Sequence, residues 1–164
     1  MHVYEITFSP TGGTKRAAQL LTQAWGGNCS EVDLTDSRRV FDDLASEPDD
    51  LAVIAVPSYG GRGPALAAER LLRMRGNAAK AVLVCVYGNR AYEDTLVELQ
   101  DTARQAGFRP VAGVAAVAEH SIARQYASGR PDEQDRKVLQ RFAGQIQAKL
   151  SRGDGTDPAL PGNR

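Results

Sequence analysis

Cysteine is scarce in this chain, and its scarcity sets aside several classes of protein. Only Cys29 and Cys85 occur among 164 residues, far apart and without metal-ligand spacing. Neither a disulfide framework nor an iron–sulfur site is implied. Cys85 lies inside an apolar run and reads as a small core residue rather than a nucleophile. An excess of one charge is lacking too. Lys+Arg and Asp+Glu number 20 each, so no overall field favours nucleic acid or a membrane surface. No apolar run reaches about 18 residues, and the N-terminus has no charged-then-apolar signal pattern. The expectation is a soluble, cytoplasmic, single-domain protein without nucleic-acid or membrane partners. A hydrophobic content of 42% is ordinary for a globular fold with a substantial core.

Several phosphate-handling motifs are also missing. The P-loop needs Gly, four residues, then Gly-Lys-Ser/Thr, and the dinucleotide fingerprint needs G-x-G-x-x-G; neither spacing occurs. A phospho-receiver domain wants paired acids after its first strand, an Asp after the third and a Lys after the fifth. Those places hold Ser9-Pro10, Pro57-Ser58 and Glu119-His120. A small phosphatase of related architecture needs Cys-x5-Arg in its first loop. Cys85 to Arg90 has one residue too few and lies at the fourth strand.

What is present centres on Phe8-Ser9-Pro10-Thr11-Gly12-Gly13-Thr14-Lys15. Val3, Tyr4, Ile6 and Phe8 before it read as a strand, and the spacing from Arg16 to Leu21 reads as a helix. A strand-to-helix turn with three hydroxyls and two glycines suits an anion, because glycine admits close approach and helix-start N–H groups point outward. Ser9, Thr11 and Thr14 would add neutral donors, while Lys15 points to solvent or assists weakly. A purely local reading, an N-capped Ser/Thr/Gly turn, remains open at this point.

Strand and helix signals then alternate. Gly26-Gly27 stops the first helix, and 29–34 reads as a short strand. The stretch 36–45 reads as a helix with Val40, Phe41 and Leu44 on one side. Residues 51–56 and 81–86 are continuous apolar runs, as expected for strands covered on both faces. A loop 57–64 precedes a helix over 65–74, with Pro64 at its start. A loop 87–92 precedes a helix over 93–106 that Gly107 closes. Residues 111–118 read as a fifth strand, 119–130 as an irregular loop and 131–150 as a terminal helix. The tail 151–164 is expected to be disordered. Trp25, at the end of the first helix, reads as a packing or surface residue rather than a flavin contact. Five strands alternating with five helices imply an α/β three-layer sandwich. Ligands bind beyond the carboxyl ends of such sheets at the switch point. The Gly-rich, aromatic or hydroxyl-rich loops follow strands one, three and four, which flank that point in the order 2-1-3-4-5.

With these loops together, residues 1–150 resemble the flavodoxin family. The FMN-phosphate loop of that family is similar to Ser9-Pro10-Thr11-Gly12-Gly13-Thr14. Its second loop, which covers one flavin face with an aromatic, is similar to Pro57-Ser58-Tyr59-Gly60-Gly61. Its third loop, Gly–acid–x–x–Tyr, is matched loosely by Gly88-Asn89-Arg90-Ala91-Tyr92. Glu119-His120-Ser121 followed by Gly129-Arg130-Pro131-Asp132 resembles flavodoxin domains fused to a two-cluster ferredoxin. No cysteine-rich segment follows here, so the resemblance covers the flavin half.

The resemblance implies that Ser9, Thr11, Gly12, Gly13 and Thr14 hold the FMN phosphate. It implies that Tyr59 and Tyr92 stack on the ring, with Pro57, Ser58, Gly60, Gly61, Gly88, Asn89 and Arg90 around its polar edge. Such stacking is worth about 0.5–1.5 kcal/mol beyond area burial, and Gly60-Gly61 would let a peptide flip toward the ring. His120 and Ser121 would border the pocket structurally, since no acid is placed to make them a catalytic pair. The implied function is electron transfer between redox partner proteins, with a reductase or ferredoxin-type donor and an unspecified acceptor. The alternative is an FMN-dependent NAD(P)H:quinone-type oxidoreductase. A monomer is expected, with a dimer as the alternative.

Familiar flavodoxins are strongly acidic, whereas this chain is neutral and carries Arg62 and Arg90 in the implied flavin loops. A cation near flavin N1 favours the reduced anion by Coulomb attraction. The expected potential of the fully reduced flavin is therefore less negative than in acidic flavodoxins. The alternative is that both arginines are solvated loop residues; Arg62→Ala and Arg90→Ala both leaving the potential unchanged in a redox titration refutes the tuning idea and selects that alternative.

Overall fold

A computed structural model describes residues 2–10, 12–25, 29–58, 63–87, 94–117 and 133–153. Five parallel strands form one sheet: β1 (Val3–Thr7), β2 (Cys29–Asp33), β3 (Leu51–Pro57), β4 (Lys80–Tyr87) and β5 (Arg109–Val117). Their order is β2-β1-β3-β4-β5, as the alternation predicts. The apolar runs at β3 and β4 occupy its middle, and every residue of β3 is buried. Burial on both faces is what a continuous Val/Ile/Leu/Ala run needs, because successive side chains point to opposite sides.

Helices α1 (Gly13–Gln23) and α4 (Glu133–Ser151) cover one face, and α2 (Ala65–Arg73) and α3 (Thr95–Gln105) the other. Leu51, Val53, Ala55, Val82 and Val84 meet Ala17, Leu21, Leu139 and Ala143 on the α1–α4 side. Ile6, Ile54, Val56, Leu83 and Cys85 meet Leu71, Leu96 and Leu99 on the other. Trp25 does pack: its Nε1–H donates to the Ala143 carbonyl at 2.9 Å and ties α1 to α4. Between Ala81 and Val82 the β4–β5 register shifts by one residue, beside Pro110, which has no N–H to donate. The Val111 carbonyl at this bulge accepts from Lys149 Nζ at 2.6 Å. Gly107 closes α3 at φ +95, with Phe108 N–H donating back to the Ala103 carbonyl at 2.9 Å. That six-to-one bond is the Schellman pattern.

The helix expected over 36–45 does not form, so the described residues hold four α-helices rather than five. Asp33 Oδ1 accepts from Thr35 N–H at 2.9 Å, and Asp36 Oδ1 from Arg38 N–H at 3.0 Å. These carboxylates offer the backbone a local alternative to helix bonds. Ala45 then bridges Arg75 in extended conformation. Only a 3-10 turn at Phe41–Asp43 remains. Phe41 is buried beneath the Arg70 guanidinium, whose carbon lies 5.7 Å from the ring centre, while Val40 is 60% exposed. The terminal helix runs to Ser151, one residue into the expected tail. The rest of the tail beyond Gly153, and the 119–130 stretch, lie outside the described residues.

One charged side chain of the sheet is buried beside Glu31, its partner across the β1–β2 pair. Glu5, on β1 facing α1, is 5% exposed. Its Oε1 accepts from Thr22 Oγ1 at 3.1 Å, and its Oε2 has no hydrogen-bond partner among the described residues. Burial pushes its carboxyl above the usual range; the Thr22 hydroxyl pulls back and the nearby Glu31 charge pushes further. Burial likewise raises the Cys29 thiol beside it, with the Glu5 charge adding to the rise.

Because the folded state raises the Glu5 pKa, it favours the protonated acid. That contribution to stability is complete below the unfolded carboxylate range and is lost as pH rises through the folded value. Glu5→Gln keeps an acceptor for Thr22 and removes the charge. Its thermal midpoint should exceed wild type by a margin that widens as pH rises above the ordinary carboxylate range. An unmet buried acceptor costs about 1–3 kcal/mol, which sets the scale. A margin independent of pH contradicts this account of Glu5.

Candidate functional site

The carboxyl ends of β1 and β3 lie side by side, yet the chain leaves them in opposite directions. After β1 it crosses to α1 on one face; after β3 it crosses to α2 on the other. The ladder carries a little beyond the strands: Phe8 N–H donates to the Ala55 carbonyl at 3.1 Å, and Ser58 N–H to the Val86 carbonyl at 2.9 Å. A crevice opens where the two crossovers diverge, at the switch point of the sheet.

On its α1 side the turn is built around Gly12, which has φ +92 and open space within 4 Å of where a Cβ would stand. A left-handed residue there lets the chain reverse into the helix without a side chain at the mouth. Ser9 Oγ accepts the Lys15 N–H at 2.9 Å, capping the third position of α1 from outside. Arg16 N–H makes the first helical bond, to the Gly12 carbonyl, at 3.0 Å. Gly13 and Thr14 occupy the first two positions of α1, whose N–H groups lack a helical carbonyl four residues back. No acid occupies the first turn of α1. Thr14 is 5% exposed, whereas Ser9 is half-buried. The Lys15 ammonium turns to Glu31 on β2, with Nζ 3.1 Å from Oε2. It neither points to solvent alone nor is committed to the turn. The pair is half exposed and worth well under about 1 kcal/mol. Positive potential at this turn therefore comes from backbone N–H groups, and the donor set suits a phosphate monoester.

The β3 and β4 side of the crevice contains a buried polar cluster. Ser58 and Thr95, 5% and 0% exposed, exchange a hydrogen bond of 2.8 Å between their hydroxyls. The Cys85 thiol lies beside them; burial pushes it up to about 12 despite relief from the hydroxyls of Thr95 and Ser58. An uncharged, inert core thiol is what its apolar setting predicts. Gly63 N–H donates to Glu98 Oε1 at 3.3 Å. Below these contacts, between α2 and α3, lies a largely apolar cavity of about 270 Å³ lined by Val56, Pro64, Ala67, Leu71, Thr95 and Leu99 among others.

No family model matches this sequence, and no curated protein does. Solved structures match in fold. A flavodoxin from Streptococcus pneumonia TIGR4 gives a TM-score of 0.61 at 18% identity, over 91% of this chain and 99% of that one. A flavodoxin from the domain Archaea gives 0.60 at 13% identity, over 92% and 99%. An NADH:FMN oxidoreductase in its apo form gives 0.62 at 13% identity, over 90% and 89%. The chain has the flavodoxin-like fold.

Within this flavodoxin-like fold, the structure brings Ser9, Gly12, Gly13 and Thr14 to the α1 side of the crevice, and Pro57 and Ser58 to the β3 side. Thr11, Tyr59, Gly60, Gly61, Arg62, Gly88, Asn89, Arg90, Tyr92, His120 and Ser121 lie outside the described residues. Among the described residues, no helix is long and apolar enough to cross a membrane. Thr95 and Glu98 escaped the sequence reading, because both fall inside an amphipathic helix with no motif around them.

Gly12→Ala introduces no clash but forces an L residue into left-handed backbone, which costs about 1–2 kcal/mol. Gly12→Asn should cost less, since asparagine tolerates that conformation. Denaturant unfolding of both variants checks this; equal losses would mean that backbone conformation is not the cause.

Proposed function

We propose that this chain binds FMN at the switch point and carries electrons between redox partner proteins. The observation that carries the reading is the turn at Gly12. It directs the uncommitted N–H groups of α1, with the Ser9 hydroxyl, into a crevice between β1 and β3 that holds no first-turn acid. A phosphate monoester satisfies such donors, and its charge suits the helix N-terminus. The likeness in fold to flavodoxins supports the same reading.

In this reading Ser9, Thr11, Gly12, Gly13 and Thr14 hold the phosphate. Tyr59 and Tyr92 supply aromatic faces to the ring, and Pro57, Ser58, Gly60, Gly61, Gly88, Asn89 and Arg90 surround its polar edge. Bound FMN supplies one- and two-electron chemistry, which the protein positions and tunes. The residues themselves bind, orient and exclude water. The partners are redox proteins, met without a strong net field because the formal charge is zero.

A second reading is an FMN-dependent oxidoreductase that takes hydride from NAD(P)H. The likeness to an NADH:FMN oxidoreductase favours it. One experiment separates the two. The purified protein is mixed with FMN, desalted, examined by visible spectroscopy and then reduced stepwise without oxygen. Retained flavin bands with a distinct one-electron stage, and no direct reduction by NADH or NADPH, are the expected result. Direct reduction by either nucleotide, with steady turnover on a quinone, selects the oxidoreductase. Loss of FMN on desalting overturns both.

A further inference from the structure

Lys15 belongs to the turn by its backbone and to β2 by its side chain. Its N–H donates to Ser9 Oγ at 2.9 Å, while its Nζ lies 3.1 Å from Glu31 Oε2. Ser9, Lys15 and Glu31 line one small cavity of about 40 Å³, together with Thr7, Val32 and Asp33. The ammonium and the Ser9 hydroxyl of the turn therefore border the same space. Asp33, the other acid of that cavity, already accepts from the Thr35 N–H and hydroxyl through Oδ1. Glu31 carries the ion pair with Lys15.

This pairing is exchangeable on two counts. Lys15 is the third residue of α1, and helical side chains lean toward the N-terminus of their helix, so its stem leans toward the turn. That stem is four carbons long and flexible. Both partners are also close to half exposed, at 44% and 53%, and an ion pair open to solvent is weak. A phosphate monoester carries about 1.5 to 2 negative charges at neutral pH, against one on a carboxylate, and attraction to an ammonium grows with that charge. A phosphate group at the turn therefore outcompetes Glu31 for the Lys15 ammonium.

We propose that Lys15 is an exchangeable counter-charge, which rests on Glu31 while the turn is empty and transfers to the phosphate group when one docks. Glu31 thereby sets how tightly the anion is held. It is a positioning residue, since it acts through Lys15. The exchange rests on the proposed phosphate site at the Gly12 turn, but not on the identity of whatever carries the phosphate.

NMR titration of the full-length apoprotein with inorganic phosphate, FMN and riboflavin tests the exchange. Ionic strength is held at about 0.1 M, where the field of a distant charge is damped over about 10 Å. Glu31→Gln should tighten phosphate and FMN by about threefold to fivefold, the size of an exposed ion pair. Riboflavin, which has no phosphate, should bind Glu31→Gln as it binds wild type. Lys15→Met should weaken phosphate, and adding Glu31→Gln to it should change phosphate affinity by less than about twofold, because the pair is already gone. With Lys15→Arg, which keeps the charge, the gain from Glu31→Gln should persist. An equal gain with Lys15 and without it would mean that Glu31 acts on the anion by its own charge, and overturns the exchange. An equal gain for riboflavin marks a general change in the crevice and overturns it too. Phosphate that tightens as expected while neither flavin binds any variant defeats the FMN reading and leaves the exchange standing. Phosphate binding by no variant overturns the exchange itself.

Discussion

The constraint on which the rest of this molecule depends is the reversal of crossover direction between β1 and β3. A right-handed crossover from each strand sends α1 and α2 to opposite faces, and both faces of β3 are then buried. The reversal leaves a gap at the carboxyl edge that no crossover covers. The phosphate-type turn and the buried Ser58–Thr95 pair border it.

Polar groups inside the fold divide into those that hold this edge and those that hold the layers. Arg70 caps the Leu34 carbonyl and covers Phe41, which fastens α2 to the turn after β2. Trp25 fastens α1 to α4. Glu5 differs from both, since it is buried with one carboxyl oxygen bonded to Thr22 and the other without a hydrogen-bond partner among the described residues. At the turn itself the Lys15 ammonium is paired to Glu31. An anion there meets dipoles of the backbone, whose attraction is short in range and closely tied to the geometry of Gly12 and Gly13.

Much of this was legible in the sequence, and for identifiable reasons. The runs at β3 and β4 are apolar without alternation because both faces are covered, which a strand pattern states directly. Gly107 marks the end of α3 because only a residue tolerant of positive φ closes that turn. The stretch 36–45 misled because Val40, Phe41 and Leu44 have helical spacing, while Asp33 and Asp36 quietly supply competing bonds to the backbone. Spacing does not record which hydrogen bond wins. Glu5 and Thr95 were invisible for a different reason. Each is an ordinary polar residue in an ordinary element, and only the packing of α1 over Glu5, or of Ser58 against Thr95, gives it a role. For the candidate site, the turn residues could be read from their types and order, whereas the Ser58–Thr95 pair depends on a contact between residues 37 positions apart.

In the proposed function a phosphate group docks at the Gly12 turn while a planar ring occupies the rest of the crevice. The most direct measurement of this docking compares the dissociation constants of FMN and riboflavin for the same apoprotein, by quenching of flavin fluorescence. Hydrogen bonds to a charged group are worth about 1.5–3 kcal/mol, so FMN should bind tighter than riboflavin by about tenfold or more. Equal affinities for the two flavins, or no binding of either, would contradict the account.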